Sequence, residues 1–224
     1  MHVGIIMRKE LVTIAPDTSL VKARELLAEK LIEHLLVVDR GGKLVGIVSD
    51  RDLKQVWASP ATTLSAHELN YLLKQLSVDM IMVQKIITVT PGTTIERAGR
   101  IMQENRISAL PVMANQKLVG IVTTTDVMGV LLDALGIDGE STRFVVLVED
   151  RIGMMAEVSR ILKEQQINIR SLVTWPEKAY PGIYQIVMRV GAANGEKAIS
   201  GLTNDGFKVL TEYVDDLTPY LPGQ

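Results

Sequence analysis

The sequence predicts an α+β chain in three parts, two β-α-β-β-α repeats followed by a βαββαβ unit of different pattern. The repeats announce themselves first. "LVGIVSDRD" (Leu44 to Asp52) returns as "LVGIVTTTD" (Leu118 to Asp126). The echo is longer than that phrase: "VGIIM" (Val3 to Met7) returns as "VDMIM" (Val78 to Met82), and "LVTIAPDTSLVKARELL" (Leu11 to Leu27) as "IITVTPGTTIERAGRIM" (Ile86 to Met102). The period is close to 75 residues, with one residue lost where "DRGGK" becomes "ANQK". Matching order over so many segments marks a duplicated unit. The third observation is a change of pattern after "LLDALGIDGES", where longer alternating runs begin.

Within each repeat the elements follow in order. A short strand ("LVTIA", "IITVT") is ended by proline. A helix follows, with Leu20, Ala23, Leu26 and Leu27 on one face and Ile95, Ala98, Ile101 and Met102 repeating it. In the second copy Thr93 is the expected N-cap, with Glu96 completing a capping box. Two strands joined by a turn come next, "HLLVVD" to "KLVGIVS" and "ALPVM" to "KLVGIVT", and Gly41 and Gly42 suit the first turn. A last helix starts at "DRDLKQVW" and "TTDVMGVLL". One such unit leaves a sheet face poorly covered, and two can close on each other.

Bulk composition excludes several classes. The chain has 224 residues, 47% hydrophobic and 22% charged, with a net charge of -2. That balance makes no electrostatic case for nucleic acid or an anionic membrane as partner. No apolar run is long enough to span a bilayer, and "MHVGIIMRKE" does not read as a signal peptide. There are 0 cysteines, so disulfides, thiolate metal sites and a cysteine nucleophile are excluded, and a cytoplasmic location is the default expectation. His2, His34 and His67 have no zinc spacing. No G-x-S-x-G, Walker loop or H-E-x-x-H occurs, so no catalytic residue and no metal ligand is expected.

The phrase "G-hydrophobic-V-S/T-x-x-D" has a chemistry of its own. Ser49 and Thr123 end a strand where a helix begins, at a helix N-terminus with free N–H groups. Asp52 and Asp126 lie in the first turn, where a carboxylate can accept two hydrogen bonds from the vicinal hydroxyls of a ribose. The plainer reading is that these four residues only cap helices.

The tandem pattern resembles the CBS domain (the cystathionine β-synthase motif), present as a pair over roughly Met1 to Asp133. The resemblance implies an adenosyl ligand in a cleft between copies. One copy's S/T-x-x-D holds ribose and phosphate, and the other copy's strands hold the base. Two candidate clefts follow. Cleft one combines Ser49, Arg51 and Asp52 with Lys85, Ile87, Ile107 and Ser108. Cleft two combines Thr123 and Asp126 with Glu10, Val12, Glu33 and His34. Lys85 and Arg51 can reach a phosphate, whereas Glu10 and Glu33 repel one. Cleft one is therefore expected to bind a nucleotide, and cleft two to bind weakly. AMP, ADP, ATP and S-adenosylmethionine share the ribose handle as possible regulatory ligands.

Between the copies, Leu69, Leu72, Leu73 and Leu76 lie at helical spacing after Pro60, so a connecting helix is expected there, with His67 and Tyr71 as ordinary members. A helix at that place is similar to the acetoin-utilisation (AcuB) type of CBS protein.

The C-terminal third reads strand "RFVVLVED", helix "RIGMMAEVSRILKEQQ" with Met155, Val158, Ile161 and Leu162 on one face, strand "INIRSLVTW", and strand "IYQIVMRV". The strand "IYQIVMRV" alternates, with Tyr184, Ile186, Met188 and Val190 opposite Gln185 and Arg189. A short helix "ANGEKAISGLT" and a final strand "FKVLTEYV" complete a ferredoxin-like order. Strand, then "EDRIGMMAEV" with Asp150 and Gly153, then helix resembles an ACT domain, although Ile152 stands where the family commonly has proline. That resemblance implies a loop of Asp150, Arg151, Ile152, Gly153 and Met154 that binds an amino acid, or a domain that only dimerises. Expected boundaries are residues 1–58 and 78–135 for the repeats, 59–77 for the connecting segment, 136–142 for a linker and 143–218 for the last unit. The expectation is a non-catalytic regulatory homodimer acting on an unknown protein, tied to acetoin utilisation by resemblance alone. The alternative is an interaction module whose clefts stay empty.

Overall fold

The structure is a computed structural model and describes residues 1–57, 71, 73–137 and 140–223. It divides into two compact units, Met1–Met128 and Gly129–Gln224. The first unit contains α1 (Val3–Ile6), β1 (Thr13–Ile14), α2 (Leu20–Lys30), β2 (His34–Val38), β3 (Leu44–Ser49) and α3 (Asp50–Val56). A 3-10 turn at Val78–Met80 opens the second copy, followed by α4 (Ile95–Asn105), β4 (Ala109–Ala114), β5 (Lys117–Thr123) and α5 (Thr124–Ala134), which runs on into the second unit.

The copies agree in detail. α2 is capped by Ser19, whose Oγ accepts from the Lys22 N–H at 3.3 Å. α4 is capped by Thr94, whose Oγ1 accepts from the Arg97 N–H at 3.3 Å. Thr93, the expected cap, instead accepts from the Thr90 N–H, so the helix begins one residue later than the sequence reading placed it. Both helices end in a left-handed residue, Leu31 (φ 51°) and Arg106 (φ 55°). β2 pairs antiparallel with β3 and β4 with β5, each pair shifting register once, at Val37/Val38 and Val112/Met113. β1 runs parallel to β2, and its counterpart is a single parallel bridge from Val89 to Val112.

The first residues of each copy complete the other copy. Arg8 bridges Ile121 in β5, and Val83 bridges Ile47 in β3. Val3 is fully buried in the second copy's core with Leu110, Val112 and Val122. Val78 is fully buried in the first copy's core with Leu35, Val37 and Val48. This exchange explains the glycine in both "LVGIV" phrases. A Cβ on Gly46 would lie 2.3 Å from Met82 Sδ, and one on Gly120 would lie 2.6 Å from Met7 Sδ. Only a residue without a side chain lets the crossing segment pass so close. Most of the expected connecting helix lies outside the described residues, but Leu73 is buried in the first core and Leu76 packs against it.

The second unit holds β6 (Ser141–Glu149), α6 (Met154–Glu164), β7 (Ile169–Pro176), β8 (Ile183–Gly191), α7 (Gly195–Asn204) and β9 (Val209–Leu210). Its sheet order is β7-β8-β6-β9, every pair antiparallel, which is the ferredoxin-like arrangement. Phe144, Val146, Met188 and Val190 project from the sheet against Val158 and Leu162 of α6 and Leu202 of α7. Met155 was expected on the core face, but it is 49% exposed and Met154 is buried in its place. Because α6 starts at Met154, the inward stripe is 154, 158, 161 and 162, and residue 155 turns out toward water. On the opposite sheet face, Val214, Leu217, Tyr220 and Leu221 of the C-terminal tail cover Val145, Leu147 and Leu210.

Candidate functional site

The seven residues assigned to cleft one line a single cavity of about 450 Å³ in the first unit. Ser49, Arg51 and Asp52 come from the β3–α3 junction, Lys85 and Ile87 from the segment after the crossing strand, and Ile107 and Ser108 from the approach to β4. Their assembly follows from the exchange of first segments, which lays the second copy's residues beside the first copy's helix start.

Ser49 is the N-cap of α3 in a full capping box. Its Oγ accepts from the Asp52 N–H at 3.3 Å, and Asp52 Oδ2 accepts from the Ser49 N–H at 2.7 Å and from the Ser49 hydroxyl at 2.6 Å. The plainer capping role is therefore real, and it occupies one carboxylate oxygen. Among the described residues, Asp52 Oδ1 accepts no hydrogen bond. Three cations stand around this mouth: Arg51, Lys85 and Arg106, all exposed, and none in an ion pair among the described residues. A fourth, Lys54, pairs with Asp50. Arg106 and Lys54 were missed by the sequence reading. The αL position of Arg106 at the end of α4 is what aims it here, and the repeat alone does not show that.

Cleft two is built on the same frame with a different outcome. Thr123 Oγ1 accepts from the Asp126 N–H at 3.3 Å, and Asp126 Oδ2 accepts from the Thr123 N–H at 2.8 Å and from its hydroxyl at 2.7 Å. Here the second oxygen is taken: Arg8 donates to Asp126 Oδ1 from Nε at 3.3 Å and Nη2 at 3.2 Å. A cavity of about 250 Å³ brings Thr123, Glu10, Val12, Glu33 and His34 together with Arg8, and Asp126 is not among its lining. Uncharged Val83 holds the matching place in cleft one.

His34 stands between the two clefts. The strand register pairs His34 with Ser49 and Ala109 with Thr123, so His34 is the counterpart of Ala109 and Glu33 that of Ser108. The ring of His34 lines both cavities, and its Nε2 lies 2.9 Å from Ser108 Oγ in cleft one. Burial holds its pKa below the ordinary imidazole value, against the pull of Glu33 and Asp52.

In the β6–α6 loop of the second unit, the residues that the motif implies take different positions. Gly153 has φ +97°, and nothing lies within 4 Å of where its Cβ would be, so backbone conformation rather than close approach demands glycine. Arg151 is held by Glu157 through two bonds of 3.0 Å, Ile152 is fully exposed, and the Asp150 N–H donates to Gly182 O at 2.8 Å. Met154 belongs to the core. Arg151 and Met154, with Arg160, Lys208 and Tyr220, line a cavity of about 430 Å³ closed on one side by the C-terminal tail.

Two exchanged α/β repeats enclosing a cleft, followed by a ferredoxin-like sheet, define a class of regulatory modules. The CBS domain model matches residues 3–59 and 78–133, and the ACT domain model matches residues 142–200. The chain belongs to the CBS-domain family and carries a C-terminal ACT domain. A CBS domain-containing protein of Dictyostelium discoideum is 33% identical over 131 residues, 58% of this chain and 90% of that one. The homoserine O-acetyltransferase of Methanosalsum zhilinae is 32% identical over 126 residues, 56% of this chain but only 23% of the enzyme. The crystal structure of a Vibrio cholerae protein assigned as acetoin utilization protein (AcuB) has 28% identity and a TM-score of 0.50, covering 62% of this chain and 96% of that one. That neighbour is of the type the connecting segment resembled. Among the described residues no helix is long and apolar enough to cross a membrane.

Proposed function

We propose that this chain is a non-catalytic regulatory sensor whose cleft one binds an adenine nucleotide. The observation that carries the reading is the open oxygen of Asp52 facing a cavity with three cations that have no ion-pair partner among the described residues. Ribose hydroxyls would meet Asp52, the phosphate would meet Arg51, Lys85 and Arg106, and the base would rest on Ile87 and Ile107. This balance favours AMP, ADP or ATP over S-adenosylmethionine, whose sulfonium would enter a field of like charge. Cleft two is the weak site, because Arg8 seals Asp126 and Glu10 and Glu33 line its wall. Ligand binding would alter the CBS unit and, through it, a partner protein, with coupling of ~1–3 kcal/mol typical of such devices. The ACT domain would dimerise or bind a small metabolite. A link to acetoin metabolism rests on the Vibrio cholerae likeness alone.

A thermal-shift panel of AMP, ADP, ATP, S-adenosylmethionine and amino acids tests this. A ligand at a hundred times its Kd stabilises by ~2.7 kcal/mol, and each 1 kcal/mol moves the midpoint by ~2–4 °C in a chain of this size. Nucleotides should raise the midpoint and S-adenosylmethionine should raise it less. A flat response to all of them would favour the interaction module with empty clefts.

A further inference from the structure

The open face of the ACT-domain sheet is only half covered by the C-terminal tail. The other half forms a cavity of about 380 Å³ under the chain at Leu135 and Ile137. Arg143 of β6 and Arg189 of β8 are direct cross-strand partners there. Their neighbours Phe144 and Met188 are fully buried on the core side, so both arginines project onto the open face. Like charges placed directly opposite on a sheet destabilise it unless something neutralises them.

Nothing in the chain does so among the described residues. Neither arginine makes an ion pair, and the one hydrogen bond recorded for Arg189 goes from Nη1 to the neutral Ser141 Oγ at 3.0 Å. Glu177, next along the sheet, accepts from Gln185 Nε2 at 2.6 Å. Around the pair the walls are apolar and exposed: Trp175 is 57% exposed, Ile137 49% and Val173 36%.

We infer that this cavity is a second ligand site, for a small organic carboxylate with an apolar body and no ammonium group. A planar carboxylate bridging two guanidinium forks gains paired, charge-assisted hydrogen bonds and cancels the cross-strand repulsion. The apolar body would lie on Trp175 and Val173. Among the described residues no carboxylate lines the cavity to receive an ammonium, so a 2-oxo acid fits where the corresponding amino acid does not. This site is separate from the β6–α6 loop and does not depend on what cleft one binds.

Titration calorimetry on the full chain tests it, with phenylpyruvate and 4-methyl-2-oxopentanoate as probes and phenylalanine and leucine as their ammonium-bearing counterparts. At least one oxo acid should bind, with its amino acid at least tenfold weaker. Arg143→Gln and Arg189→Gln should each weaken that binding tenfold or more, and without ligand each variant should melt no lower than the parent, because repulsion has been relieved. No heat from either oxo acid, equal binding of the amino acids, or unchanged affinity in the double variant would overturn the assignment. So would a Trp175→Asp chain that sediments as a smaller species than the parent, since a second copy would then cover this face.

Discussion

Asp52 and Asp126 begin with the same task. Each closes a capping box on the residue three before it, through the same oxygen and at nearly the same distances. Their other oxygens differ. Asp126 is bound by Arg8, which the exchanged first segment carries across from the opposite copy, while the same crossing beside Asp52 delivers Val83. Glu10 and Lys85, also one period apart, push the difference the same way. Duplication thus preserved the frame that builds a cleft, and a few side chains on a borrowed segment decide whether it stays open. A ligand-binding role and a capping role are not rivals here, since one carboxylate has an oxygen for each.

The frame itself gives the largest expected effects. Gly46→Ala should destabilise by ~1–3 kcal/mol through overpacking against Met82, and Gly120→Ala by a similar amount against Met7. Pairing Gly46→Ala with Met82→Ala should recover part of the loss, and chemical denaturation would measure both. If Gly46→Ala alone were neutral, the exchange of first segments would not be what demands glycine. Ser49→Ala and Thr123→Ala should each cost ~1 kcal/mol as lost caps. Their similarity in stability, set against a difference in nucleotide affinity, would separate the shared role from the unshared one.

Arg8→Gln should change stability by less than ~1 kcal/mol, because the arginine is 53% exposed. Its use is in binding: freeing Asp126 should strengthen nucleotide binding at cleft two, seen as a second, weaker event in a titration. The smallest effect concerns pH. With its folded pKa lowered, His34 resists a proton that the unfolded chain accepts near pH ~6.5. Stability should therefore fall as pH drops through that region, by no more than ~1.4 kcal/mol per unit, and be fully present above it. His34→Gln should flatten the slope, and an identical slope in that variant would exclude the imidazole as its source.

Much of this was legible in the sequence because the repeat writes it twice. The strand and helix order and both helix faces follow from aligning two copies, while the membership of cleft one came from the resemblance to CBS pairs. The N-cap of α4 was placed one residue early, at Thr93, although Thr94 stands one period from Ser19. Arg8 was not legible. Nothing in residues 1–10 shows that a strand bridge will carry position 8 to the opposite sheet, and an isolated arginine has no periodicity to betray its partner. Met154 and Met155 differ only in where α6 starts, and the left-handed Gly153 that sets the start is read more safely from φ than from the letter. In the ACT domain there is no second copy to compare, and the opposed pair Arg143 and Arg189 emerges only once the register of β6 on β8 is known.

The most direct test of the central claim is a calorimetric titration of AMP, ADP and ATP into the parent chain, Asp52→Ala and Asp126→Ala. The account predicts one strong site per chain, weakened at least tenfold by Asp52→Ala through loss of charge-assisted hydrogen bonds worth ~1.5–3 kcal/mol each, and left intact by Asp126→Ala. Two equal sites in the parent chain, or an affinity that survives Asp52→Ala and is lost with Asp126→Ala, would contradict it.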